Sequence, residues 1–307
     1  MNALLHTTRT LGLISFLFWS AIVPTTAAPA AKKVLFFSKS ASFEHSAIKR
    51  ENGQMSFAEK VLAGLGQTNH IEFTFTKDGG VFTPENIAKY DAFFFYTTGD
   101  LTETGADGNP PMSKEGKAAF LQAIYRGKGF IGTHSATDTF HSPGNKDLSP
   151  ARWKNDGDNV DPYIRMIGAE FIIHGAQQKG HMICADRKFP GMSQVPADFA
   201  PLEEWYTLKN FAPDLHVLLI QDTSNMEKTG GNHCYDRPPY PATWAHRYGK
   251  GRVFYTSMGH REDVWTNPVF QQVLLGGINW AVGRVKADVT PNINKVTPQA
   301  SVLPSQP

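Results

Sequence analysis

A short apolar run, Phe130-Ile131-Gly132-Thr133, breaks abruptly into His134-Ser135-Ala136-Thr137-Asp138. A strand apolar at successive positions is covered on both faces, as in parallel sheets with helices on either side. The polar residues behind it then fall at the strand's carboxyl end, where open α/β sheets place their sites. The spacing Gly132-Thr133-His134-Ser135 is that of a nucleophile elbow, but a histidine stands where Ser or Cys would attack. That exchange points away from acyl transfer.

The rest of the first half alternates in the same manner. Val34–Phe37, Ile71–Phe75 and Ala92–Tyr96 read as further strands. Gln54–Leu65 and Ser113–Tyr125 carry apolar residues at helical spacing, and Thr83-Pro84 reads as an N-cap with proline at the first helical position. This order predicts an α/β fold with a doubly wound, mostly parallel sheet flanked by helices. The second half is less regular. Gln178–Ala185 and Val217–Asp222 read as strands, Val253–Thr256 closes the sheet, and Phe270–Val282 forms a terminal helix. Ser142–Asp161 and Ser224–Pro241 are polar insertions.

At the amino terminus, Leu11–Val23 is nearly all apolar and Ala28-Pro29-Ala30 supplies a small-residue cleavage site. Residues 1–30 read as a secretory signal peptide cleaved near Ala27 to Ala30, because the apolar run is too short to span a bilayer comfortably. A secreted or periplasmic protein with no membrane segment after cleavage is the expectation. Residues 31–285 form one domain, and residues 286–307, rich in Pro, Asn and Gln, read as a loosely ordered tail. The net charge is +2 with basic residues scattered, so no nucleic-acid surface is expected. Cys184 and Cys234 are too few for a disulfide framework, and their pairing stays open, as does homo-oligomerisation.

Polar groups recur where strands end: Ser38–His45, Thr97–Asp100, His134–Asp138, His174-Gly175 and Met258-Gly259-His260. Loops at one end of a parallel sheet converge, so His45, Asp100, His134, Asp138, His174 and His260 are expected to line one crevice, with Glu204 entering from the second half. Four histidines at such ends suit proton transfer or a divalent metal. Trp205, Tyr206 and Trp244 read at least as readily as core residues as rings lining a site.

Several blocks together resemble the trehalose-utilisation (ThuA-like) family: Phe43-Glu44-His45-Ser46, Tyr96-Thr97-Thr98-Gly99-Asp100, Gly132–Asp138, Gly168-Ala169-Glu170-Phe171, His174-Gly175, Glu203-Glu204-Trp205-Tyr206, Pro241–Tyr255 and Thr256–His260. The resemblance covers nearly the whole domain in order. It implies a class I glutamine amidotransferase-like, flavodoxin-like three-layer fold and a small-molecule carbohydrate substrate, with no nucleotide cofactor. His134 replaces the cysteine of the amidotransferase triad, and His260-Arg261-Glu262 resembles its His-x-Glu pair, so glutamine hydrolysis is not expected. The implied chemistry is acid/base cleavage of a C–O bond in a glycoside or 3-keto glycoside, with or without a metal such as zinc. His134, His260, Asp138 and Glu204 are its catalytic candidates. His45, Asp100, His174, Trp205, Trp244 and His246 are its substrate-binding candidates, and His45, His134, His174 and His260 its metal candidates. A noncatalytic sugar-binding or partner-binding module on the same fold is the alternative.

Overall fold

Alternation within each strand decides how the layers stack. In β1 (Lys32–Phe37), Val34 and Phe36 face one side while Leu35 and Phe37 face the other, and all four are buried. The computed structural model describes residues 30–145 and 149–306; most of the proposed leader lies outside the described residues. The strands that follow are β2 (Ile71–Thr76), β3 (Ala92–Phe95), β4 (Gly129–Thr133), β5 (Glu170–His174), β6 (Gln178–Lys179), β7 (His181–Cys184), β8 (Leu202–Glu203), β9 (Tyr206–Lys209), β10 (His216–Asp222), β11 (Tyr240–Tyr248) and β12 (Gly251–Thr256). Eight of them form the central sheet in the order β2-β1-β3-β4-β12-β11-β10-β7.

The five strands β2, β1, β3, β4 and β12 run parallel to one another, as the alternation of Ile71–Phe75 and the apolar runs of the other four predict. β11, β10 and β7 extend this sheet antiparallel. The α-helices among the described residues are α1 (Phe57–Asn69), α2 (Pro84–Ile87), α3 (Lys114–Tyr125), α4 (Pro162–Ile167), α5 (Glu262–Trp265), α6 (Pro268–Ala281) and α7 (Ile293–Val296), and short 3-10 turns, one of them His134–Thr137, lie between elements. α1 and α6 cover the Val34/Phe36 face, burying Leu62, Ile278 and Trp280. α3 and α4 cover the opposite face through Phe120, Ile124 and Ile164. The result is three layers.

Helix starts follow the capping residues. Ser56 and Glu59 form a reciprocal capping box at α1, and Thr83, Ser113 and Asn267 each accept a backbone N–H at the start of α2, α3 and α6. Among the described residues no helix is long and apolar enough to cross a membrane.

The segment after Val285, expected as a loose tail, packs instead. β7 pairs with β10 only from Leu219 onward, so Val217 has no strand on that side. The Asn292 amide fills the gap: its Oδ1 accepts from Val217 N at 2.6 Å and its Nδ2 donates to Val217 O at 3.1 Å. Ile293 and Ala300 are buried beyond it. A side-chain amide standing in for a strand leaves no periodicity to read. Cys184 and Cys234 are both free thiols.

Candidate functional site

His134 sits at the end of β4 with φ of +43°, a left-handed backbone that a non-glycine residue adopts only under constraint. Two contacts impose it. Tyr255 Oη donates to the His134 carbonyl at 2.7 Å, and Thr133 Oγ1 donates to the Met258 carbonyl at 2.6 Å. The histidine therefore has the strained placement of an elbow residue, and its ring is wholly buried. Nδ1 lies 3.2 Å from the Ser257 carbonyl, which can only accept, so that nitrogen carries the proton. Nε2 is left as a lone pair.

That lone pair faces three other groups. His45 Nε2 and His260 Nδ1 are each 3.2 Å away, and Glu204 Oε1 is 3.7 Å away. Glu204 Oε1 is also 3.3 Å from His260 Nδ1. The four donor atoms all lie within 4.8 Å of one another. A tetrahedral site with ligand bonds of about 2.0–2.1 Å has edges of roughly 3.3–3.4 Å, so the measured contacts bracket what a zinc-like ion requires. Crowding imidazoles into a buried space disfavours their charged forms. Burial brings His134 down to about 4 against the pull of Glu204, and burial together with His134 and His260 holds His45 well below its ordinary value. Burial alone would raise Glu204, but His134 and His260 outweigh it and hold the carboxyl well below the usual range. His260 goes the other way: burial disfavours its cation, but Glu204 and Glu203 outweigh burial and raise the ring. It must therefore give up a proton to join His45 and His134 as a neutral, metal-binding imidazole beside an ionised carboxylate.

The four donors come from separate segments: the loop after β1, the turn after β4, the residue after β8 and the loop after β12. Glu203 binds the last two together. Its Oε1 accepts from Gly259 N at 2.6 Å and His260 N at 3.1 Å, while its Oε2 accepts from Glu204 N at 3.1 Å. Burial pushes this carboxyl up to about 7 despite those bonds. Gly259 has φ of +121°, and a Cβ there would stand 2.7 Å from Thr133 Oγ1, so the approach of His260 depends on glycine. Gln177 completes the setting: its Oε1 accepts from Arg261, and its Nε2 lies 3.0 Å from His260 Nε2. Glu203 and Gln177 orient His260; no hydrogen bond from Glu262 to it is formed.

His174 lies one layer outward. Its Nδ1 is 3.4 Å from Glu204 Oε2 and 3.0 Å from the Gly175 carbonyl, and its side chain is 42% exposed at the mouth. Tyr206 packs on His134 with ring centroids 4.3 Å apart, and Phe171 packs behind Tyr206 at 4.0 Å. Beyond this aromatic wall opens a cavity of about 680 Å³, lined by Asp100, Asp138, Phe140, His141, Arg152 and Phe171 among others.

Asp138 and Asp100 thus belong to a neighbouring cleft, outside the histidine cluster. His141 Nε2 is 2.8 Å from Asp138 Oδ1, and its Nδ1 is 3.1 Å from Glu170 Oε1. Burial disfavours the His141 cation, yet the two carboxylates outweigh it and raise the ring to about 9. Burial likewise works against Glu170, but His141 and Ser142 bring it down to about 2. Ser142, Asn145 and Asn210 also donate to Glu170, which ties the polar insertion to the sheet beside it. Asp100 sits at the rim, accepting from Thr102.

Three expected sugar contacts are core residues instead. Trp205 is buried and donates to the Gln178 carbonyl; Trp244 is buried, stacks on Tyr255 and donates to the Ile167 carbonyl. His246, also buried, donates from Nε2 to the Met166 carbonyl. Both indole N–H groups are satisfied in the interior, and the second ring nitrogen of His246 lies 3.3 Å from Asp214 Oδ1. Glu203, Gln177, His141 and Glu170 escaped selection as site residues. Glu203 and Glu170 stood inside the blocks that carried the resemblance, and His141 lies one helical turn after Asp138; Gln177 had no signal of its own.

Solved structures that share this fold include two ThuA-like proteins. A ThuA-like protein from Bacteroides uniformis is 19% identical with a TM-score of 0.60, over 86% of this chain and 97% of that one. A ThuA-like protein from Parabacteroides merdae is 18% identical with a TM-score of 0.57, over 90% of this chain and 98% of that one. Among curated proteins no relative matches. A family model described as trehalose utilisation matches residues 33–281, the span that supplies every strand but the first residue of β1 and all four residues of the cluster. The chain therefore belongs to the ThuA trehalose-utilisation family.

Proposed function

We propose that this chain is an exported enzyme of sugar breakdown that cleaves a C–O bond in a glycoside or 3-keto glycoside at a divalent-cation centre formed by His45, His134, His260 and Glu204. The observation that carries the reading is the edge geometry of those four donors, 3.2–3.7 Å between the measured neighbours. A cation held there supplies Lewis acidity toward a sugar oxygen.

The chain's own groups cover the remaining needs. His134 is too deeply buried to meet substrate, so its role is that of ligand. His174 is the accessible imidazole, with Nδ1 engaged by Gly175 and Nε2 left to exchange protons. In a 3-keto sugar the C–H beside the ketone is acidic. His174 takes that proton, the C–H electron pair forms the enolate, and its collapse breaks the neighbouring C–O bond. The departing oxygen then takes the proton held by the His174 imidazolium, which returns the base to its neutral form, so charge and atoms balance. Asp100 and Asp138 offer carboxylate acceptors for hydroxyls in the adjoining cleft, beside the aromatic faces of Phe140 and Phe171. The leader-like residues 1–30 support export, and mass spectrometry of secreted protein from its host tests that part.

One observation favours a second reading, a cation-free proton relay. Gln177 Nε2 donates to His260 Nε2, which puts the His260 proton on Nδ1, facing Glu204. Loading a cation there requires the exposed Gln177 amide to turn over. Elemental analysis after zinc or manganese titration separates the two, alongside turnover of native and 3-keto glycosides with and without chelator. One ion per chain and chelator-sensitive turnover are expected. Turnover without bound ion would establish the relay, and no turnover on either class would remove the enzymatic reading.

A further inference from the structure

The parallel strands carry the candidate centre at their carboxyl ends and begin, at the other end, in a concentration of positive charge. A cavity of about 430 Å³ there is lined by Lys32, Lys89, Lys128, Arg247, Lys250 and Arg252, against a single acid, Asp91. Asp91 is already committed: one oxygen is 3.0 Å from Lys32 Nζ and the other accepts from Lys33 N. Among the described residues, the other five cations have no carboxylate within 4.0 Å. The chain as a whole carries only +2, so this excess is local rather than a reflection of composition.

One pair in this arrangement is repulsive, although Arg252 Nη1 also donates to the Trp280 carbonyl at the end of α6 at 2.8 Å. Arg247 and Arg252 are direct cross-strand partners in the β11–β12 register, and like charges so placed repel. Both guanidinium groups lie over the Trp280 ring, 5.7 and 5.9 Å from its centroid, which fixes them rather than letting them swing apart. Lys128 is drawn into the cavity wall, where its Nζ donates to the carbonyls of Ala88 and Tyr90. Burial, and then Arg247, hold Arg252 below its ordinary value. A concave surface of one sign focuses its potential on whatever enters.

We propose that this cavity is a second binding site, taking a ligand with a phosphate or diphosphate group through Lys89, Lys128, Arg247, Lys250 and Arg252. The group has two sources with the same chemistry, a free phosphorylated solute or the headgroup of an anionic lipid. Calorimetric titration with inorganic pyrophosphate tests the first, and co-sedimentation with phosphatidylglycerol against phosphatidylcholine vesicles tests the second. Lys89 and Lys250 are exposed and their ammonium groups make no hydrogen bond or close ion pair, so Lys89→Gln/Lys250→Gln leaves the fold intact, with the thermal midpoint as its check. Arg247→Gln is the second variant and relieves the cross-strand repulsion.

Pyrophosphate binding that weakens with salt, and that falls about tenfold or more in the double variant, is the expected result. Binding without preference for phosphatidylglycerol assigns a soluble ligand. Preferential vesicle binding competed by pyrophosphate assigns a lipid headgroup. No binding to either probe, or binding unchanged in both variants, overturns the site.

Discussion

Replacing Glu170 by Gln should destabilise the protein more at pH 6 than at pH 10. Glu170 is fully buried and accepts from His141, Ser142, Asn145 and Asn210. The rise of His141 from 6.5 to about 9 corresponds to roughly 3 kcal/mol of preference for the charged ring. Asp138 and Glu170 share that preference, so losing one carboxylate removes about half of it. The new amide nitrogen also points at the donors that Glu170 Oε2 served, Ser142 Oγ and Asn210 Nδ2, adding about 1–2 kcal/mol. A loss of about 3 kcal/mol is therefore expected at pH 6. A raised histidine contributes its stability fully below its unfolded value near 6.5, and that contribution disappears as pH rises through about 9. At pH 10 only the mismatched donors remain, and the loss should shrink to about 1–2 kcal/mol. Glu170, held at about 2, has the opposite dependence: its contribution is present above about 4.5 and lost as pH falls through about 2. Chemical denaturation of both proteins at the two pH values, with the His141 ring followed by NMR, supplies the test. An equal loss at both pH values, or a His141 that still titrates near 9 in the variant, would refute the pairing argument.

Three further outcomes follow from the centre and its surroundings. His134→Ala should abolish metal uptake and turnover and also lower stability by roughly 1–3 kcal/mol, since the ring is buried; retained stoichiometric metal by elemental analysis would contradict its role as ligand. Gly259→Ala should weaken metal binding about tenfold by displacing His260 through the contact with Thr133, as outer-shell changes do, and unchanged affinity would show that the loop relaxes freely. Trp244→Phe should cost about 1–3 kcal/mol by stranding the Ile167 carbonyl while KM for any sugar stays constant; a raised KM would return this ring to the site.

How much of this was legible depends on whether a residue acts through a strand end or through a fold-back. Four of the five parallel strands announced themselves by apolar runs and the edge strand β2 by its alternation, and four histidines and Glu204 were traceable as groups at element ends. Trp244 and His246 were misplaced because β11, an antiparallel strand, buries its residues through Tyr240–His246 on both faces, and a buried strand residue with a polar tip reads like a site residue until its partner carbonyl is known. Asp138 was close in sequence to His134 yet points into the neighbouring cleft, since the intervening 3-10 turn rotates its side chain away. Glu203 could not be told from Glu204, because which of two adjacent carboxylates faces the histidines depends on the strand pairing of β8.

The four donors of the centre are spread across the chain at positions 45, 134, 204 and 260, no two of them within the same local segment. An unfolded chain therefore contains no short chelating pair among them, and a passing cation finds nothing to hold before the sheet has assembled. On the proposed reading of a cation centre, the ion is selected only where folding finishes, and if the chain is exported unfolded, as proposed, that selection falls after the crossing.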